Sequence, residues 1–417
     1  MTTIVHHRLS NHLDVLVEHV PNVRTAAIEW WLPAGVAYDP HDRVGRAAVL
    51  AEMVLRGAGS LNAKEQAAAL DRLGISRQVS PGIRFMRLGG IMLGSRVEEG
   101  FGMLRDIVLN PLLPEESLSP IVGLCVQSLD SLSDDPAHLA MVELDRHHLS
   151  APFNRSPYGD RDAFLALRSD DLRVAAHQTM RPDGAILSIA GDIDADAVLA
   201  IIIPAVSDWH GDNPEPSIAA SGDRGMHFLT HDSAQTHLAL AFDGPQARDA
   251  DRMNELIAMM VFGGASSGRL FTEVRQRRSL CYSVYAQYAA SRDEGTTRLY
   301  AGTTPQRADE TAAVCLEQLY LLKDGISEEE FNRAKRRLLS RIVMRSESTT
   351  ALAKRLAREC FSMGHARTLA DIRREIEGAT LDQVNAYLSI RRFGHMTLQT
   401  VGQSPITVPP DQLVDEG

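Results

Sequence analysis

Met260-Val-Phe-Gly-Gly264 reads as a second copy of Met53-Val-Leu-Arg-Gly57, 207 residues upstream, and this repetition sets the division of the chain. Two more anchors recur in the same order. Pro114-Glu-Glu, opening a helix, returns as Ser327-Glu-Glu, 213 residues on. Asp171-Leu-Arg-Val174, followed by a strand opening at Gly184, returns as Leu381-Asp-Gln-Val384, followed by Gly394, 210 residues on. Three anchors at nearly one offset predict a duplication. The expected class is α+β: two similar halves, each an antiparallel sheet packed with long helices. Between them Ser207-Asp-Trp-His-Gly-Asp-Asn-Pro-Glu-Pro-Ser217 is rich in turn formers and reads as a linker. The expected domains are therefore 1–206 and 226–417, joined by 207–225.

Local patterns fill in the first half. Leu13–Val20 alternates as a strand does, with Thr25–Leu32 as its partner. Arg43–Arg56 has helical spacing, and Asn62 with Glu65 forms a capping-box signature for the next helix. Strands are expected at Ile75–Val79, Arg84–Leu93 and Gly184–Ala190. Helices are expected over Val97–Leu109, Pro114–Leu149 and Asp170–Thr179.

Composition narrows the function classes. The chain has 417 residues, 44% hydrophobic and 23% charged, enough for a large core in two or three domains. A net charge of −11 without basic blocks argues against nucleic acid. Met1–Arg8 has no basic segment followed by an apolar one, so no secretory leader is expected. The longest apolar run, Ala197–Val206, contains Pro204 and is too short to span a bilayer. Cys125, Cys281, Cys315 and Cys360 form no CxxC and read as buried, reduced thiols of a cytoplasmic protein.

Several segments together are similar to the pitrilysin/insulinase-type zinc peptidases, the inverzincins. They are Gly45–Gly57, Asp106-Ile-Val-Leu-Asn-Pro111, Asp134-Asp-Pro136, Ala190-Gly-Asp-Ile193 and, above all, the long stretch Gly263–Val284. The resemblance covers nearly the whole chain. Active members carry H-x-x-E-H: two histidines one helical turn apart hold zinc, and the glutamate is general base. Here Ala48 and Glu52 stand at the histidine positions and Ala51 at the base. The distal glutamate ligand falls near Ser128. Zinc needs three or four converging donors, which this set lacks. No metal, cofactor or catalytic residue is therefore expected in this chain.

The second-half motif is intact. Arg275 and Tyr282 lie seven residues apart in Arg-Gln-Arg-Arg-Ser-Leu-Cys-Tyr. By residue type alone they could simply pack together. The resemblance implies peptide contact across the cleft from zinc, with Arg275 on backbone carbonyls and Tyr282 donating to the developing oxyanion. The loop Phe262-Gly-Gly-Ala-Ser-Ser-Gly268 resembles a shortened glycine-rich loop of the non-catalytic subunit of mitochondrial processing peptidase. For Gly263, Gly264, Ser266 and Ser267, substrate contact and helix–loop packing both fit. His227 and His231 have H-x-x-x-H spacing, with His237 nearby, but the pattern there is a strand. On a strand residues i and i+4 stand about 13 Å apart, too far to share an ion. His6-His7 and His147-His148 receive no role.

The resemblance implies a heterodimer forming a clamshell around an extended peptide. Its partner would be a homologous subunit with an intact zinc motif, which carries the only zinc. No nucleic-acid or membrane partner is expected. The rivals are a scaffold, like the core proteins of respiratory cytochrome bc complexes, and a homodimeric peptide-binding protein.

Overall fold

The computed structural model describes residues 3–213 and 215–415. Met1 and Thr2 of the opening stretch, Pro214 of the linker, and Glu416–Gly417 lie outside the described residues. Strands β1 (Ile4–Arg8), β2 (Asp14–His19) and β3 (Thr25–Leu32) come first, then helices α1 (Arg46–Met53) and α2 (Ala63–Leu73). Strands β4 (Ser76–Ser80) and β5 (Met86–Leu93) lead to α3 (Val97–Leu109), α4 (Leu118–Ser133), α5 (Pro136–His148) and α6 (Ser169–Thr179). Strand β6 (Ile186–Gly191) closes the first half. The second half contains β7 (Gly225–Thr230), β8 (Thr236–Gly244), α7 (Arg252–Phe262), β9 (Cys281–Ala290) and β10 (Gly295–Thr303). Helices α8 (Glu328–Ser346) and α9 (Thr349–Met363) and strand β11 (Thr397–Gly402) follow, with further helices between these elements.

The sheets repeat one another. The first has the order β1-β2-β6-β3-β5-β4 and the second β7-β11-β8-β10-β9. Without β1 the two orders correspond strand for strand. The starts of β2 and β7 (14 and 225), β3 and β8 (25 and 236) and β6 and β11 (186 and 397) all lie 211 residues apart. Both sheets are antiparallel except for one equivalent pair in each, β2 with β6 and β7 with β11, which runs parallel. Each parallel pair is joined through a long crossover, the only connection that parallel neighbours allow.

Two compact units result, and they differ from the expected contiguous halves. The first comprises residues up to 131, then 151–220 and 344–368; the second comprises 132–150, 221–343 and 369 onward. Helix α5 thus belongs to the second unit and α9 to the first. The continuous helix expected over 114–149 breaks at Asp134-Asp135, because Pro136 disfavours helical backbone at the residue before it. The expected linker is also anchored to the first unit. Trp209 is buried, and the Asn213 amide donates to the Pro33 and Thr179 carbonyls at 2.9 and 3.0 Å.

Within the first unit, α9 lies across β6, β3 and β2. Ser348 caps its start by accepting from Ala351 N–H, and Gly364, at φ 83°, ends it. The first sheet's apolar face carries Val15, Val17, Ile28 and Trp30 into one core with Val49, Leu50 and Phe101. The opposite face meets α9 and is polar. Arg355 donates to Glu18 at 2.6 Å, with both side chains almost fully buried. Glu359 accepts from the Arg367 side chain at 2.7 Å. Lys354 Nζ lies 3.5 Å from Glu29, and Ser188 Oγ donates to the Ala353 carbonyl at 2.8 Å. In the second unit, the equivalent helix α5 packs Ala140 and Leu144 against Ala239, Ala241 and Val401.

Two outcomes follow from the buried charges. Arg355→Ala strands the Glu18 carboxylate and should cost about 3–5 kcal/mol in denaturant unfolding. Burial, opposed by Lys354, pushes Glu29 up from 4.5 to about 7. The folded state therefore holds the extra proton, and stability should fall as pH rises from 4.5 to about 7. Glu29→Gln should flatten that slope in unfolding curves measured across the window.

Candidate functional site: helix α1 and an exposed arginine–tyrosine pair

Helix α1 begins at Gly45, whose φ of 112° suits glycine. The Asp39 carboxylate accepts from Gly45 N–H at 2.8 Å and Ala47 N–H at 3.1 Å, holding the first turn. Burial pushes Asp39 up to about 6, against these bonds and the Arg46 guanidinium. Ala48 and Ala51 are buried in the first unit's core and offer no donor. Glu52 is half-buried, and Arg56 Nη2 lies 3.9 Å from its carboxylate. Arg77 on the sheet-edge strand β4 feels Arg56, Asp71 and Glu52 electrostatically, and burial lowers its pKa. Guanidinium charge beside Glu52 disfavours a divalent cation there.

Ser128 is exposed and donates to the Leu124 carbonyl of its own helix at 3.0 Å. The α4 residue electrostatically coupled to Glu52 is Cys125, whose buried thiol is pushed up to about 11, first by burial and then by Glu52. Among the described residues, no trio of His, Cys, Asp or Glu donors closes around Glu52. Arg56 follows Glu52 by four residues, whereas Arg77 and Cys125, the latter read in the sequence only as a buried thiol, reach it through the packing of β4 and α4.

In the second unit, Phe271–Arg277 winds as a π-helix, a form frequent at functional sites. Ser279 then turns through a left-handed φ of 50° into β9. The turn brings the Arg275 guanidinium carbon 5.8 Å from the Tyr282 ring centroid and 4.9 Å from that of Phe271. Tyr282 is 81% exposed, so its ring and hydroxyl face solvent instead of a core. Strand β9 is an edge of its sheet, and among the described residues it pairs with β10 alone.

The glycine-rich loop divides by residue. A Cβ on Gly263 would come within 2.5 Å of Ala286 N, and the Gly263 carbonyl accepts from that N–H at 3.1 Å. Gly264 is held as closely against Met260. Gly263 thus serves helix–strand packing and Gly264 lies against the last turn of α7, whereas Ser266 and Ser267 are exposed. His227, on β7, bonds the Asp223 carbonyl; His231 bonds the Ser133 carbonyl; His237 bonds the Tyr300 hydroxyl. These three histidines have separate partners. His147, given no role in the sequence, stacks on His227 with centroids 3.6 Å apart.

Comparison with known proteins agrees with the fold. The profile of the Peptidase M16 inactive domain matches residues 166–338. The chain is 26% identical over 388 residues to the uncharacterized zinc protease YmxG of Bacillus subtilis, covering 90% of this chain and 92% of that one. A solved Peptidase M16 inactive domain from Pseudomonas fluorescens superposes with a TM-score of 0.87 at 20% identity, covering 97% of this chain and all of that one. A chain of Complex III2 from Candida albicans superposes with a TM-score of 0.82 at 15% identity, covering 96% of each. The expected likeness to the zinc-peptidase family and its α+β fold is thus shown. Among the described residues, no helix is long and apolar enough to cross a membrane.

Gly263→Ala should cost about 1–3 kcal/mol through the clash with Ala286. Ser266→Ala and Ser267→Ala should leave the unfolding midpoint unchanged, a contrast that thermal melts can measure directly.

Proposed function

We propose that this chain is the non-catalytic, substrate-binding subunit of a heterodimeric zinc peptidase, supplying Arg275 and Tyr282 to a homologous subunit with an intact H-x-x-E-H motif. The observation that carries the reading is asymmetric. Helix α1 presents no histidine donors and has guanidinium neighbours, while Arg275 and Tyr282 are both exposed. The partner's zinc and base would activate water. Tyr282 would donate to the oxyanion of the scissile carbonyl, and Arg275 would hold backbone carbonyls through its planar fork. The free edge of β9 could take an extended peptide as an added strand within a clamshell dimer. Ser266 and Ser267 could line its path, with Gly263 and Gly264 setting the loop beneath them. Four buried free thiols fit a cytoplasmic pair, with peptide as substrate and neither nucleic acid nor membrane as partner.

A second reading is a scaffold without proteolysis, favoured by the likeness in fold to a chain of Complex III2. A homodimeric peptide-binding protein is the third. Mixing experiments separate them. The purified chain should hydrolyse no peptide, with or without added zinc, and a zinc-bearing partner from the same source should restore hydrolysis. In that mixture Arg275→Ala or Tyr282→Phe should lower kcat by about 100-fold without shifting the chain's melting midpoint. Chelator-sensitive hydrolysis by the chain alone would overturn the proposal.

A further inference from the structure

A second cluster in the first unit has donors that the α1 helix lacks. His6 on β1, Asp14 at the start of β2 and Cys360 on α9 place one nitrogen, one oxygen and one sulfur within 4.8 Å of one another. His6 Nε2 lies 2.8 Å from Asp14 Oδ1 and 3.9 Å from Cys360 Sγ. The β1–β2 register pairs Arg8 with Asp14 and His6 with Leu16, so His6 reaches Asp14 diagonally on the sheet face that meets α9. The His6 side chain is 28% exposed against 13% for that of Asp14, so the histidine opens the cluster to solvent, and Cys360 is buried.

We propose that His6, Asp14 and Cys360 bind a zinc ion, with water as fourth ligand, in a structural site separate from the family's catalytic one. Imidazole, carboxylate and thiolate are the donors zinc takes, and at bond lengths of about 2.0–2.3 Å a tetrahedral set stands roughly 3.3–3.6 Å apart. Cys360 and His6 are already within a few tenths of that spacing. The His6–Asp14 hydrogen bond must open by about half an ångström, which an edge-strand histidine can do by rotating. Arg8 Nη1, 3.4 Å from Asp14 Oδ2, would keep the second carboxylate oxygen and orient the ligand. The groups facing the thiol are His6, Asp14 and Arg8. Burial, then Asp14, push the thiol up to about 12, so it carries its proton before the ion arrives and releases it to solvent on binding. The ion would tie α9 to the outermost hairpin of the sheet it covers.

A rival trio, His147, Asp223 and His227, suits an ion less well. Its imidazoles are stacked at 3.6 Å with planes 11° apart, so their lone pairs run parallel and cannot converge.

Cobalt(II) titration of the full-length chain tests the site. One equivalent should produce a thiolate-to-cobalt charge-transfer band in the near ultraviolet, which zinc then bleaches, and zinc should raise the melting midpoint. Cys360→Ser should abolish the band. His6→Gln, on the exposed side of the edge strand, should weaken cobalt binding by about tenfold or more and remove the zinc-dependent melting shift. Cys125→Ser and His147→Ala should leave both signals intact. Absence of a band in the wild-type chain at about tenfold excess cobalt would overturn the assignment. So would a band that survives Cys360→Ser or is unaffected by His6→Gln.

Discussion

The ion pair between Arg355 and Glu18 is the constraint around which the first unit is arranged. Its residues are 337 positions apart in sequence, yet the pair is buried beneath a helix that arrives from the second half of the chain. Burial raises the Glu18 pKa, and Arg355 opposes that effect. A charged pair in such a place stabilises little by itself compared with apolar packing, but it penalises wrong partners heavily. Helix α9, with Arg355, Glu359 and Lys354 facing the sheet, can satisfy Glu18 and Glu29. Helix α5 offers Ala140 and Leu144 instead and covers an apolar patch. Two equivalent helices thus carry different chemistry, suited to different sheets.

Much of this architecture was legible from local pattern. The strand at 25–32, the helix at 97–109 and the Asn62–Glu65 capping box stand where periodicity and capping residues place them. The duplication was legible in three weak anchors, and the sheet orders make it a shared topology. The exchange of α5 and α9 was not legible. Nothing local to 136–148 says which sheet that helix will cover, and the deciding residues lie in strands far away. The anchoring of the 207–225 segment to the first unit has the same origin. Turn formers mark a bend, but not that Trp209 and Asn213 will be buried beside it.

The candidate site divides along similar lines. The mismatch of Ala48, Ala51 and Glu52 to the H-x-x-E-H spacing could be read residue by residue, because that spacing lies within one helix. The electrostatic surroundings of Glu52 were legible only in part: Arg56 follows it by four residues, but Arg77 and Cys125 reach it from β4 and α4. The proximity of Arg275 and Tyr282 depends on a π-helix and a left-handed serine, neither of which has a dependable sequence signature. His6, Asp14 and Cys360 span 354 residues, and only the packing of α9 assembles them.

The helix exchange also bears on how the polypeptide can be divided. A chain severed between residues 213 and 221 would not yield two self-sufficient domains. The leading fragment would carry α5 with its Ala140–Leu144 face uncovered, and its own sheet would lie bare over Glu18 and Glu29. The trailing fragment would have the complementary defect. Each piece would hold the missing part of the other, as in a domain-swapped dimer, so the fragments are suited to reassociate with one another and poorly suited to persist apart. The duplicated halves are therefore one folding problem, although they look like two.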